Sequence, residues 1–592
     1  MVALSLQLVI QQALIDFMPR ILLRFLVWVL LGGITLVHAA EPALEITGAS
    51  KTLEANIRAY LDLSNEPCDA AEWRLRAVAR DLDARIQDAG RALGYYHLTS
   101  QKTFSRPENC WHLALAVTPG EPVRLSAVSI ALEGEGQDSR LLNSIADDSG
   151  LDKGDRLNHG HYDRFKRRLL LAANTQGYFD ANYRESEVLV SVEKNTARVN
   201  LLLDTGVRYR LGAINVTHDI LSDNLIDRYI TLETGQEYRA EDLQQLKSEL
   251  RASRYFAGVS ITPDLDNTEN REVPIDIELV GGPKHSYSAG IGYATDTGPR
   301  VLLGYENRYL NRRGHKFDAD VNASESITTY QVSYSIPMER PAYDVLQLFT
   351  GFEQEELNDW ESNRLATGIS YSTWQTSQWL NTYSLSAERE DYIFGEAPGQ
   401  RSELLIPMYS ASVTRGPQTG YPLSGWSLLV RLKGTDESFG SSTDFLQGYG
   451  RVKYIHKLGP GRLLLRAEGG ITEVDDFDKL PISLRFFAGG DASVRGYGYK
   501  TLGPVNADDI VVGGSRLLTG SVEYDYKVLD DWAVAAFWDE GSAFNKGYVD
   551  RYRGVGMGLR WISPVGPVRV DVARALDGDK GWRVHLSVGP DL

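Results

Sequence analysis

"LTGSVEYDYKV", residues 518–528, sends Leu518, Val522, Tyr524, Tyr526 and Val528 one way and Thr519, Ser521, Glu523, Asp525 and Lys527 the other. A repeat of two is a strand's, because successive side chains leave opposite faces of a pleated backbone. The pattern returns in "WAVAAFWDEG" (532–541), where Trp532, Val534, Ala536 and Trp538 oppose Phe537 and Asp539. In "GVGMGLRW" (554–561), Val555, Met557, Leu559 and Trp561 oppose three glycines and Arg560. In "WRVHLSVG" (582–589), Trp582, Val584, Leu586 and Val588 oppose Arg583, His585 and Ser587. A soluble sandwich also alternates, but it hides its apolar face in a thin core. Charges on every inward face demand a wide, wet interior, and aromatic residues near strand ends complete the pattern of an outer-membrane barrel.

Outward from that stretch the alternation is sustained over residues 284–592, with eleven strands before a long segment at 476–514 and five after it. Sixteen antiparallel strands of ~10 residues each, with connections, fit that length. Within the segment, "FFAGGDASVRGYGYKTLGP" (486–504) mixes glycine, aromatic residues and one arginine, Arg495. Such glycine density suits a loop that passes close to other backbone or repeatedly adopts positive φ. Asp539 has the inward parity, and Gly554, Gly556 and Gly558 leave a bare inner wall on which a loop could lie flat.

Residues before 284 read differently. "GYY" (94–96), "GYF" (177–179) and "RYF" (254–256) each close a helical stretch, and Tyr95, Tyr178 and Tyr255 recur at intervals near eighty. Each unit ends on a strand-like run meeting a glycine: "LALAVTPG" (113–120), "LLLDTG" (201–206), "DIELVGG" (276–282). That period is too long for a solenoid repeat and fits tandem small domains. Leu75, Val78, Leu82, Ile86, Ala89 and Leu93 fall on one helix face, and residues 162–179 form a second helix whose Arg164, Lys166, Arg167 and Arg168 make a solvated side. "HGH" (159–161) is placed in the loop between two helices.

Charge and compartment narrow the function. The 62 basic and 79 acidic side chains leave a net charge of −17, which argues against a nucleic-acid partner. Arg20 and Arg24 precede the apolar run "FLVWVLLGGITLV" (25–37), and Val37 and Ala39 supply small residues at a cleavage site. Residues 1–39 therefore read as a signal peptide, with Met18 an alternative start; the run is short of the ~20 residues of a spanning helix. An exported chain with two cysteines, Cys68 and Cys110, is expected to bridge them; two buried free thiols are the alternative. Neither has metal-ligand spacing around it. No Gly-x-Ser-x-Gly elbow occurs, and an inward His585 suits hydrogen bonding better than base catalysis, so neither an enzyme nor a cofactor is expected.

The β-α-α-β-β units, taken as residues 40–121, 122–206 and 207–283, resemble POTRA domains. "VRGY" (494–497), "FWDEG" (537–541) and "GVGMGLRWISPVGPVRVDVA" (554–573) resemble motifs of the POTRA-barrel superfamily of outer-membrane assembly and secretion proteins. The resemblance implies that the loop folds into the lumen and that Arg495, flanked by Val494, Gly496 and Tyr497, pairs with Asp539 between Phe537 and Gly541. Three units, "ALGYY" (92–96), "VTPGEPV" (117–123) and "HLSVGPDL" (585–592) are similar to the TamA branch, outer-membrane subunits of the translocation and assembly module. The final Leu592 departs from the usual Phe of outer-membrane proteins.

That resemblance implies a Gram-negative outer membrane with the POTRA domains in the periplasm. It further implies an insertase for autotransporter-type and other barrel clients, with outer-membrane lipids as possible cargo. A TamB-like inner-membrane-anchored partner would bind through the POTRA domains. An export channel of the two-partner type, or a passive pore, is the alternative. Strand one, "YSAGIGYA" (287–294), is glycine-rich, so a weak lateral seam is expected between Gly290 and Gly292 and the last strand around Trp582 and Leu586, near Pro590.

Overall fold

Three small sheets repeat one topology in the computed structural model of the chain. It describes residues 43–589 except 64–66, 68–71, 107–109, 358, 376–377, 418, 548, 564–565 and 579, and the backbone alone at 43 and 72–79. The expected signal peptide, Met18, Cys68, Pro590, Leu592 and, within the 554–573 stretch, Pro564 and Val565 lie outside the described residues. In each sheet the first strand runs parallel to the third, and the second pairs antiparallel on the third strand's other side. The strands are Ala43–Thr47, Thr99–Ser105 and His112–Thr118; Arg124–Glu133, Asn182–Ser191 and Thr196–Asp204; Arg210–Thr217, Phe256–Pro263 and Glu272–Gly281.

Two helices join first strand to second in every module: Lys51–Leu61 and Glu72–Ala92, Arg140–Asp147 and His159–Thr175, Asp223–Tyr229 and Ala240–Ala252. The alternating Leu113, Leu115 and Val117 bury one face of the first sheet under Leu53, Ile57, Leu82 and Ile86. Ala197, Val199, Leu201 and Leu203 do the same under Phe165, Leu169 and Ala173. Cys110 is disulfide-bonded, and the neighbouring Trp111 donates to Pro67 O at 3.1 Å.

The recurring tripeptide has a structural cause. Gly94, Gly177 and Arg254 close the second helix of each module at φ +83°, +89° and +62°. The same turns accept the chain that follows: Val123 N–H donates to Gly94 O (2.8 Å), Tyr209 N–H to Gly177 O (2.9 Å) and Gly282 N–H to Tyr255 O (2.8 Å). "HGH" is a correction. It is not a loop but the first turn of His159–Thr175, capped by the Asn158 side chain, which accepts from His161 N–H at 3.2 Å. His159 Nε2 lies 2.9 Å from Tyr96 Oη, and burial lowers the imidazole pKa. Arg164, Arg167 and Arg168 are exposed.

The first two modules form one compact unit, to Tyr209; the third module and a barrel form another, from Arg210. The barrel has the sixteen antiparallel strands expected, from His285–Ala294 to Trp582–Val588, each paired with its sequence neighbour. Among the described residues no helix is long and apolar enough to cross a membrane; crossing falls to these strands. Tyr287, Ile291, Met557 and Trp582 face outward, each more than two thirds exposed, as lipid contact requires. The third module packs on the turns at its own end of the barrel: Tyr255 Oη donates to Gly314 O (2.5 Å), Arg228 to Met338 O (2.8 Å) and Lys316 Nζ to Ser253 O (2.6 Å). Gly314 sits at φ +73°, where a Cβ would come within 2.4 Å of Leu225.

Candidate functional site: the lumen loop and the lateral seam

The loop between the eleventh strand (Gly461–Val474) and the twelfth (Arg516–Leu529) turns into the barrel. It carries its own apolar side. Phe486, Ala488, Val494, Tyr497 and Leu502 pack against Leu517, Ala543 and Ala575 of the wall. Backbone bridges Phe486–Gly514 and Ala488–Leu502 hold it as a narrow doubled strand. The hydrophobic contacts bring the loop to the wall; one arginine then sets its position.

Arg495 is 6% exposed and meets three acids. Its Nε and Nη2 donate to the two oxygens of Asp539 at 2.7 and 2.9 Å, the paired geometry that fits guanidinium to carboxylate. Its backbone N–H adds a third bond to Asp539 at 3.1 Å. Nη1 reaches Glu523 at 2.6 Å and Asp571 at 3.0 Å. Beneath it the Phe537 ring centroid lies 3.4 Å away, a cation–π contact between two buried side chains.

The charges continue as an alternating chain. Arg560 bonds Glu523 at 2.8 Å and Asp571 at 2.5 Å, and lies 3.7 Å from Asp525. Asp525 in turn takes two bonds from Arg462, at 3.0 and 2.8 Å. Arg462, Arg560, Asp525 and Asp539 are fully buried, so each charge is tolerated only because its neighbours neutralise it.

Glycines make the approach possible. A Cβ on Gly558 would lie 1.8 Å from Asp571 Oδ1, and one on Gly556 would lie 2.4 Å from the Phe537 ring. Gly541 abuts Leu518 O. Gly496, at φ +99°, gives its N–H to His585 Nε2 at 2.9 Å. Tyr497 Oη sits between Asp577 O (2.9 Å) and Arg553 O (3.1 Å) while accepting from Asp577 N–H (3.1 Å).

The structure thus brings Val494, Arg495, Gly496, Tyr497, Phe537, Asp539 and Gly541 into one site. Glu523, Asp571, Arg560 and Arg462 belong to it too, although sequence reasoning gave them no role. Their inward parity beside Asp539 was the available signal.

Seam residues require a correction. First and last strands are neighbours, as expected, but among the described residues they form no ladder and the sheet order ends at each of them. Thr295, one residue beyond the first strand, donates N–H to Leu586 O at 3.3 Å and accepts Leu586 N–H on its hydroxyl at 2.7 Å. Leu586 is therefore at the seam as expected. Gly290 and Gly292 are not opposite residues 583–587: an antiparallel register through Thr295 and Leu586 carries them past Val588, where the last strand ends. Trp582 stands at the strand's other end, 68% exposed. Among the described residues, the first strand from Gly290 to Ala294 makes no hydrogen bond to the last.

Comparisons with known proteins agree with this architecture. The Omp85 superfamily domain matches residues 281–591, a TamA-type first POTRA domain matches 43–119, and a POTRA domain described as a surface antigen variable number repeat matches 209–282. The outer membrane protein assembly factor BamA of Nitratidesulfovibrio vulgaris is 22% identical over 61% of this chain and 48% of its own length. That of Neisseria meningitidis serogroup B is 22% identical over 70% and 61%. The chain thus spans about half to three fifths of these relatives. The crystal structure of BamA from Haemophilus ducreyi lacking POTRA domains 1–3 shares the fold, with TM-score 0.62 and 15% identity over 79% of this chain and 99% of that one.

Proposed function

Because the chain belongs to the Omp85 superfamily, and is a Gram-negative outer-membrane barrel with periplasmic POTRA modules, we propose that it inserts client barrel proteins into the outer membrane through its lateral seam. The observation that carries this is the seam itself. Fifteen neighbouring strand pairs are joined by ladders, whereas among the described residues the hydrogen bonds between first hairpin and last strand are those of Thr295 and Leu586. An unpaired strand edge is a template for an incoming strand. Among the described residues the first strand offers one along Gly290–Ala294 at low packing cost, since Gly290 and Gly292 contribute no cross-strand side chains.

The TamA-like branch is the finer reading, supported by the match over 43–119 and by three modules before the barrel. Autotransporter-type clients and a TamB-like partner on the POTRA modules follow from it, with outer-membrane lipids as further cargo. No bond-making step is assigned. Purified full chain in liposomes should speed the folding of an added autotransporter barrel domain, and a passive pore would instead conduct ions steadily without doing so. Absence of any acceleration, with or without partner, would remove the insertase reading.

A further inference from the structure

The lumen loop also touches both edges of the seam, through a residue outside its arginine motif. Asp491 N–H donates to Asp296 Oδ2 at 2.7 Å, in the turn that follows the first strand. Asp491 Oδ1 is bonded to His585 Nδ1 of the last strand at 2.5 Å. The side chains of His585 and Asp491 are 2% and 10% exposed. A Cβ on Gly490, at φ +102°, would lie 2.5 Å from Asp296 Oδ2, so glycine is what lets the loop close against that turn.

The imidazole tautomer follows from its partners. His585 Nε2 accepts from Gly496 N–H, so the neutral ring carries its proton on Nδ1 and donates it to Asp491. Ligand-type atoms of Asp296, Asp491 and His585 lie within 4.8 Å of one another, as in a cation site. A metal on Nδ1 would move the ring proton to Nε2, against the Gly496 N–H. The group is therefore a hydrogen-bonded clasp and not a coordination shell.

We propose that Asp491 is the latch of the lateral seam: it ties the first hairpin, through Asp296, to the last strand, through His585. The seam then parts only when the loop tip lets go. Arg495, four residues on, fixes the loop against the wall and so keeps the latch engaged. Loop position and seam opening become one two-state element rather than two independent motions. The functional meaning rests on the insertase reading above; the structural statement does not.

The test uses full chain in nanodiscs, spin-labelled at cysteines replacing the lipid-facing Ile291 and Val584, with pulsed electron resonance reading the distance. Asp491→Ala and His585→Ala should each raise the long-distance population several-fold, and together no more than either alone. Asp491→Asn keeps an acceptor for the Nδ1 proton and should stay near the parent distribution. A gel-mobility assay for the folded barrel excludes trivial unfolding. Parent-like distances in both alanine variants, with the barrel folded, would overturn the latch. A seam that opens in Asp491→Ala without any effect on client insertion leaves the latch standing and counts against the insertase route.

Discussion

The carbonyl oxygen of Arg495 occupies the space a side chain on Gly554 would need, 1.9 Å from the Cβ position. Backbone at that distance cannot yield without lifting the loop. Gly554→Ala should therefore displace the Arg495 turn and cost about 1–3 kcal/mol, the usual range for overpacking. Limited proteolysis across residues 486–504 reads the displacement directly: new cleavage is expected in the variant and not in the parent.

Arg495 itself should be irreplaceable by another cation. Arg495→Ala leaves Asp539, Glu523 and Asp571 facing one another without their shared counter-charge, and stranding buried acids typically costs ~3–5 kcal/mol. Arg495→Lys keeps the charge but has no planar fork to bond Asp539 through two nitrogens while reaching Glu523. Both variants should lower the unfolding temperature of the barrel, with lysine recovering less than half the loss. Full recovery by lysine would mean that charge alone holds the loop.

Much of this was legible in the sequence. Alternation in 518–528 and 532–541 predicts strands, wet interior and inward Asp539, because side-chain parity is local and unforgiving. The loop's entry into the lumen could be anticipated from Gly554, Gly556 and Gly558. Glu523 and Asp571 were harder, since parity says that they point inward but not that three strands bring them to one arginine. "HGH" misled because a glycine between histidines looks like a loop, yet Gly160 sits in a helix's first turn, where the Asn158 cap compensates. The positions facing Gly290 and Gly292 were hidden for a different reason. Hairpins fix neighbouring registers, whereas the register between first and last strands is set by the shear of the whole barrel.

Opening of the seam should respond to pH through Asp296. Burial and the facing Asp491 push its pKa up to about 6, with the Asp491 N–H bond opposing and His585 and Tyr499 nearby. A carboxyl raised in the closed state holds its proton where an exposed one has already lost it. The closed form is thus favoured in acid and loses that advantage as pH rises from about 4 through about 6. The long-distance population should grow across that window, and Asp296→Asn should flatten the dependence. The same slope in the asparagine variant would assign it elsewhere.

Finally, the geometry of the seam selects where a covalent lock belongs. Gly290 is a poor site, because in the register through Thr295 and Leu586 it lies opposite none of the described residues of the last strand. Thr295 and Leu586 already exchange hydrogen bonds. Cysteines at both positions should form a disulfide, since the two residues are held within hydrogen-bond reach and a disulfide needs Cβ atoms about 3.5–4.5 Å apart. Oxidation should leave the barrel folded and the loop in place while stopping client insertion in liposomes, and reduction should restore it. A control pair across an ordinary ladder, Val522→Cys with Trp538→Cys, joins strands that are already continuous; locking it should change nothing. Undiminished insertion with the Thr295–Leu586 bond fully formed would falsify the seam as the client's route, leaving the lumen or the surrounding bilayer.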